Sequence, residues 1–498
     1  MRFKIHRCLA GLALVLCFCL APVTVLAEQD PFPVYDCIRP NVAFWCDIYT
    51  RYPTTQGLIH DSRDVSIIYE VLELEGTWES GARSRDQQRI EAAKSKYLSI
   101  LSTLASGWPP TNPEEERVAA LFGQGTTTED YRLAKENLRF QSGLRERFRE
   151  GVVRSGAYLD EIRRVLASHG VPEDLAYLPH VESSFNYKAY SKVGAAGIWQ
   201  FTQSTGQRFL PMSQAVDARR DPIQATHAAA QLLRENYDRL GSWPLAVTAY
   251  NHGANGMARA KTSLGGYEAI FREYESPLFK FASRNFYSEF LAARQVARNH
   301  QEYFGALALE SPVRSKVLTL PSHARVGELV NHLGIDPDTF RRLNPSLSDS
   351  VYSGRLPVPQ GYPVRVPAEW SVARLDIAPV ALPAKKGAVK LSAAKERAGV
   401  KGGAMHVVKK GETAWSIAAR YGTTVQELRR ANQMADGVGV RSGQRLRIPE
   451  TEGVPVDTGQ PAKSKKPEAS NSGQPRTTAD KQTAAKKLVL APRNAHKR

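Results

Sequence analysis

The sequence predicts a mainly α protein of several units, and three observations carry that expectation. Residues 129–305 are dense in helix signals, with apolar residues at three-four spacing between good capping residues. Residues 28–128 are polar, with helical stretches such as 90–104, and read as a helical N-terminal region. Beyond residue 312, short strand-like pieces flank helices, a pattern that reads as small βααβ modules. At 498 residues the chain is too long for one domain, because folded units usually run about 100–200 residues.

The first segment, 1–27, reads as an export signal. Arg2, Lys4 and Arg7 precede an apolar run from Cys8 to Ala21, and Val25-Leu26-Ala27 supplies small residues for cleavage. The run is too short to span a bilayer. Cys8, Cys17 and Cys19 fall inside the signal. That leaves Cys37 and Cys46, which in an oxidising compartment read as one disulfide closing a small loop.

Within the helical block, 157–169 places Tyr158, Ile162, Val165 and Leu166 on one face and stops at Gly170, a residue suited to the turn past a helix end. Asp221-Pro222 is an N-cap followed by proline in the first turn. Ile223, Ala230, Leu233, Tyr237 and Leu240 then share a face, with Thr226 in the gap. Trp243-Pro244 opens a further helix through Tyr250, and little room is left for strands. Residues 312–367 mix β-like pieces with a helix around 326–333. Residues 368–403, rich in Ala, Lys and Pro, read as a linker. Residues 404–449 are compact again, and the basic tail 450–498 has the composition of a disordered segment.

Hydrophobic residues at 42% and charged residues at 23% suit a soluble globular chain and exclude one made of membrane spans. A net charge of +17 points to a polyanionic partner: nucleic acid, a membrane surface or an anionic wall polymer. Export argues against nucleic acid.

Three segments of the helical block carry the candidate chemistry. In Leu178-Pro179-His180-Val181-Glu182-Ser183-Ser184-Phe185 one carboxylate lies among apolar and hydroxyl side chains. Burial beside Val181 and Phe185 is expected to raise its pKa, as a general acid requires. In Ser191-Lys192-Val193-Gly194-Ala195-Ala196-Gly197-Ile198-Trp199-Gln200-Phe201 the small residues permit close backbone approach to a ligand. Trp199 and Gln200 have the chemistry to stack on and hydrogen-bond a sugar. Ala249-Tyr250-Asn251-His252-Gly253 sets polar tips at a helix end. Each alone also suits a bland role: a solvated Glu, tight packing, a core Trp, a helix C-cap. His180 and His252 stand without an HExxH motif or a Cys/His cluster, so neither a metal site nor a cofactor is expected.

Together and in this order, the three segments resemble the lytic transglycosylase family, whose fold is that of goose-type lysozyme. Glu182-Ser183 matches the family's Glu-Ser pair, Gly197-Ile198-Trp199-Gln200 its Gly-aliphatic-Met/Trp-Gln turn, and Ala249-Tyr250-Asn251 its Ala-Tyr-Asn. The likeness spans about 131–299. It implies Glu182 as the catalytic acid and base, with Ser183, Gly197, Trp199, Gln200, Tyr250 and Asn251 binding substrate. It also implies cleavage of the MurNAc-β-1,4-GlcNAc bond with a 1,6-anhydro product. A fourth family motif carries a tyrosine near the acid. Here Ser283-Arg284-Asn285-Phe286-Tyr287 has Phe286 at that place, and Tyr287 supplies the hydroxyl only from a shifted register. A muramidase using water on the same bond, and an inactive wall-binding protein, remain as alternatives.

The segment 404–449 resembles a LysM module. His406–Val408 reads as a strand, Gly411 as a turn and Thr413 as a cap. Ala414, Ile417, Ala418 and Tyr421 share a helix face. Thr424-Val425-Gln426-Glu427 is a capping box, and a strand returns at 445–448. LysM modules bind N-acetylglucosamine chains, which implies glycan contacts at Gly411, Thr413 and Asn432. Residues 312–367 resemble a worn copy without the strand-turn-Thr start. The implied partner is peptidoglycan glycan, at the periplasm or cell envelope, with association to the wall or a membrane surface.

Overall fold

The computed structural model describes residues 30–76, 82–371, 405–408, 414, 417–418, 421, 425–434 and 440–449. The expected signal 1–27 and tail 450–498, nearly all of the linker, and the candidate residues Gly411 and Thr413 lie outside them. No helix among the described residues is long and apolar enough to cross a membrane.

The chain opens with a 3-10 turn, Asp36–Ile38, running into helix α1 (Arg39–Thr50), whose Val42, Phe44, Trp45, Ile48 and Tyr49 are buried. Next come strands β1 (Gln56–Asp61) and β2 (Ile68–Glu73), paired antiparallel with Leu58 opposite Val71. Helices α2 (Ala82–Ala105), α3 (Pro113–Ala120) and α4 (Thr128–Asn137) follow, then β3 (Leu138–Ser142), which completes a sheet of order β2-β1-β3. Asn112 caps α3 by accepting from the Glu114 and Glu115 amides, and Thr127 with Asp130 forms a capping box on α4. Ile59, Tyr69, Leu72, Tyr97, Leu101, Val118 and Ala134 make a core of their own.

The expected helical region 28–128 carries α1, α2 and α3, with one addition to that expectation. It contains a β-hairpin, whose signal was the β-branched and aromatic run Ile67-Ile68-Tyr69-Glu70-Val71-Leu72 beyond the turn Asp61-Ser62-Arg63-Asp64. Phe44 of α1 packs on His60 of β1 with ring centres 4.9 Å apart, and Leu58 of β1 shares the core of α1. Phe32, Ile38, Trp45 and Tyr49 join the large core of the helices that follow.

Those helices are α5 (Arg145–Ser155), α6 (Leu159–Ser168), α7 (Leu178–Ser183), α8 (Gln203–Gly206), α9 (Pro222–Leu240), α10 (Trp243–His252), α11 (Ala254–Leu264), α12 (Tyr267–Glu273), α13 (Phe281–Arg298) and α14 (His300–Phe304). Helix α13 is the hub, packed against α1, α10 and α7. Arg294 on α13 ties the N-terminal stretch down through Asp30 at 2.6 Å and also holds Asp174, in the turn before α7, at 2.9 Å.

The expected Cys37–Cys46 disulfide is corrected as well, because both are free thiols. Cys37 lies in the 3-10 turn and Cys46 late in α1. Roughly nine residues of near-continuous helix separate them by about 13 Å, far beyond the ~7 Å that a disulfide spans between Cα atoms. Burial pushes the Cys46 thiol up to about 12 and also raises Cys37, so both stay protonated.

Past α14 the chain forms β4 (Ser315–Thr319), α15 (Val326–Leu333), α16 (Pro337–Leu343), α17 (Asp349–Tyr352) and β5 (Pro363–Pro367), with β4 and β5 antiparallel. This module shares its core with Val216 of the loop after α8. The last described unit has β6 (Met405–Val407), α18 (Val425–Ala431) and β7 (Arg445–Arg447), with β6 and β7 antiparallel around Val408, Ile417, Leu428 and Leu446.

Candidate active site

Helix α7 is under two turns long, and its end sets the site. Ser184 and Phe185, directly after it, both hold left-handed backbone at φ 51° and 56°. Two such non-glycine residues in a row are strained and need outside support. Arg154 of α5 supplies it by donating Nε and Nη2 to the Ser184 carbonyl at 3.0 and 2.8 Å. Gly151 lets α5 come close, since a Cβ there would press on Ser184. Glu182 is thereby held at the end of a short, locked helix, half-buried in a cleft of about 210 Å³.

The cleft is lined by Trp45 and Tyr49 of α1, Gln141 of β3, Arg147 and Arg154 of α5, His180, Glu182 and Ser183 of α7, and Glu289 of α13, among others. Ser183 donates its hydroxyl to the Ile198 carbonyl at 2.9 Å, which joins the first motif to the second. Tyr250 donates its phenol to the Trp199 carbonyl at 2.8 Å, which joins the third to the second. Burial, and then the Glu182 charge, hold the Tyr250 phenol far above its usual range. Its ring stacks parallel on Phe286, 6.4 Å centre to centre. Asn251 accepts from the Ser283 hydroxyl at 2.7 Å.

Two expected substrate contacts are corrected. Trp199 is 0% exposed, and its indole donates to Thr226 Oγ1 at 2.9 Å, so it is a core residue rather than a sugar platform. Gly197 permits a close approach, but to protein. At φ +76° a Cβ would overlap the Arg219 carbonyl oxygen. Gln200 is also buried, donating Nε2 to the Gly197 carbonyl at 2.8 Å and closing the same turn.

His180 is buried between the rings of Phe148, Tyr177 and Phe185, and burial pushes it down to about 3, so it serves as a neutral aromatic spacer. His252 packs edge-on to Phe279 and Tyr274. Among the described residues no group of three or more His, Cys, Asp or Glu is placed to hold a metal. Tyr287 donates to the Pro33 carbonyl at 3.0 Å and packs on Tyr267, so its hydroxyl anchors the N-terminal stretch. Asn432 is engaged inside its own module. Its Nδ2 donates to the Leu428 and Arg447 carbonyls at 2.6 and 2.7 Å and its Oδ1 accepts from the Arg447 amide at 2.6 Å, which makes it a clamp rather than a glycan ligand.

Sequence reasoning missed Glu289. It is 2% exposed in the same cleft as Glu182. Burial pushes its carboxyl up to about 8, the Glu182 charge adding to the rise and Arg139 opposing it. A signal existed: Glu289 falls at three-four spacing between the buried Phe286 and Ala293 on α13, where a charge has no bland explanation.

The site is thus a carboxylate at a locked helix end in a helical domain of lysozyme-like class, with Ser183 beside it and Tyr250 from a third segment both bonded to the Gly197–Gln200 turn. The comparisons then give the particulars. Residues 162–270 match the Transglycosylase SLT domain and residues 406–449 the LysM domain, so the chain carries both. Over 309 residues it is 28% identical to membrane-bound lytic murein transglycosylase D of Escherichia coli (strain K12), covering 59% of this chain and 64% of that protein. It is 34% identical over 113 residues to a putative tributyltin chloride resistance protein of Alteromonas sp. (strain M-1), covering 22% and 55%. It is 38% identical over 84 residues to a transglycosylase of Enterobacteria phage PRD1, covering 17% and 30%. The chain thus spans less than two thirds of the length of these curated relatives.

Proposed function

We propose that the chain is a peptidoglycan lytic transglycosylase of the cell envelope, with Glu182 as its catalytic acid and base. The observation that carries this reading is the convergence of three separate segments on Glu182, through Ser183 to Ile198 and Tyr250 to Trp199. Protonated Glu182 gives its proton to the oxygen of the MurNAc–GlcNAc bond, which breaks and leaves the GlcNAc side with a hydroxyl. The substrate's acetamido group stabilises the cation at the muramyl anomeric carbon. Ionised Glu182 then takes the proton of the muramyl 6-hydroxyl as that oxygen closes on the anomeric carbon. Glu182 ends protonated as it began, and no water is consumed. The LysM module at 406–449 holds the enzyme on glycan strands.

A second reading, hydrolysis of the same bond by a muramidase, draws on one observation: Glu289 puts a second carboxyl in the cleft, and two carboxyls are the usual equipment of glycosidases. Mass spectrometry of sacculi digested by the purified protein separates the readings. Anhydro-muropeptides support the transglycosylase. Reducing muramyl ends would select the hydrolase, and no release of fragments would leave a wall-binding protein.

A further inference from the structure

A carboxyl buried on a helix without an ion-pair partner costs folding energy, so its retention calls for a reason. Glu289 has the surroundings of a working group. It shares its cleft with Glu182, and α13 packs directly on α7, the helix that carries Glu182. Among the described residues no cation comes within ion-pair distance of it. Arg139 of β3 acts from further off, with its guanidinium stacked on Phe281 at 4.1 Å. The other titratable groups facing the cleft are Tyr49 of α1, Arg147, Glu150 and Arg154 of α5, and His180 of α7, while Tyr250 of α10 meets Glu182.

We propose that Glu289 is a positioning residue that acts through Glu182: from α13 its buried carboxyl fixes how the catalytic carboxyl lies in the cleft and how readily that carboxyl changes charge. The proposal rests on the reading of Glu182 as acid and base. Glu289 stays protonated to about 8 because of its burial, so at neutral pH it is an uncharged donor beside a group that cycles between acid and anion. A neutral neighbour lets Glu182 ionise after the first proton transfer, whereas an ionised one opposes it as a like charge. The two carboxyls therefore titrate as a coupled pair.

The test compares the wild type with Glu289→Gln, Glu289→Leu and Glu182→Gln on soluble glycan strands. kcat and KM are measured from about pH 5 to 9, the span over which such groups shape a rate profile, and each protein's melting temperature is recorded. Glu289→Gln keeps shape and hydrogen bonding, so it should retain turnover within about threefold at neutral pH yet lose the ionisation near 8 from the rate profile. Glu289→Leu should lose roughly 10–100-fold in kcat with KM little changed, as expected for a misplaced reacting group. A folded Glu289→Leu enzyme with wild-type kcat and pH profile would overturn the proposal. So would a Glu289→Gln enzyme as inactive as Glu182→Gln, because Glu289 would then do chemistry itself. Should the leucine variant not fold, the Glu289→Gln profile decides alone, an unchanged inflection near 8 sinking the idea. If Glu182→Gln cleaves as well as the wild type, the assignment of Glu182 fails first, and this result is distinct from the others.

Discussion

The modules at 315–367 and 405–449 share a wiring plan and differ in attachment. Each joins its two strands antiparallel, and each uses one asparagine to fasten the end of a helix to the returning strand. Asn344 donates to the Phe340 and Arg365 carbonyls and accepts from the Arg365 amide, as Asn432 does with Leu428 and Arg447. The first module is nevertheless built into the catalytic unit. Val216 bridges Leu347, the Asp217 amide donates to Ser346, and the Ser348 amide donates to Ala215. Arg365 pairs at 3.3 Å with Asp221, the buried cap of α9. In the second module the equivalent strand residue, Arg447, is exposed. One wiring plan thus serves as a buttress in one place and, in the other, as the module that matches LysM.

The comparison can be strained from several sides. Glu182→Gln leaves both modules whole, so cleavage should fall about 10²–10⁴-fold while sacculus binding persists. A variant keeping a tenth of wild-type turnover in a release assay would refute the role of Glu182. Arg365→Ala exposes the difference in attachment. It strands the Asp221 carboxylate, which keeps the Ile223 and Gln224 amides, so the loss should be roughly 2–3 kcal/mol by denaturant titration, below the ~3–5 kcal/mol usual for a broken buried pair. Arg447→Ala should stay within about 0.5 kcal/mol, and equal effects at the two positions would erase the distinction. Asn344→Ala and Asn432→Ala should each cost about 1–3 kcal/mol through unpaired backbone groups. A stable Asn432→Ala protein with weakened glycan binding would restore that residue as a ligand. Ending the chain after residue 371 should change stability of the catalytic unit least of all, yet weaken retention on sacculi by removing a tethered binder. Equal pull-down of the two lengths would contradict this.

Legibility followed the range of the interactions. Asp221-Pro222, Gly170 and the three motif segments could be read because caps, turns and helix faces are set within a few residues. Phe286 was legible too, since its spacing with Phe281 and Phe290 already placed it against the core, and the structure stacks it on Tyr250. Most of the failures are long-range, the exception being the Cys37–Cys46 disulfide, which the helix between the two thiols rules out locally. Trp199 has the chemistry of a sugar platform until Thr226 of α9 takes its indole N–H. The hairpin β1–β2 depends on β3, contributed some 70 residues later, to make β1 a central strand. Glu289 looks like a surface charge until α7 brings Glu182 to it. Its burial also predicts a pH trend. With its folded pKa raised to about 8, the native state holds a proton that the unfolded chain releases above its ordinary range. Stability from this group is therefore fullest at acid pH and is lost as pH rises towards 8. Glu289→Gln should flatten that slope in melting curves taken across the range.

The entry of Val216 into the core of the 315–367 module bears on how the chain is made. The loop that follows the Gly197–Gln200 turn finds its packing partners Leu347, Val364 and Val366 only near the far end of the next module. Domains generally fold as they emerge during synthesis, N-terminal units first. Here the catalytic helices can be complete at Phe304 while the loop beside them still waits for roughly 60 more residues, about 3–12 s at ordinary elongation rates. On a nascent chain, the loop that carries Val216 is among the last parts of the helical unit to set.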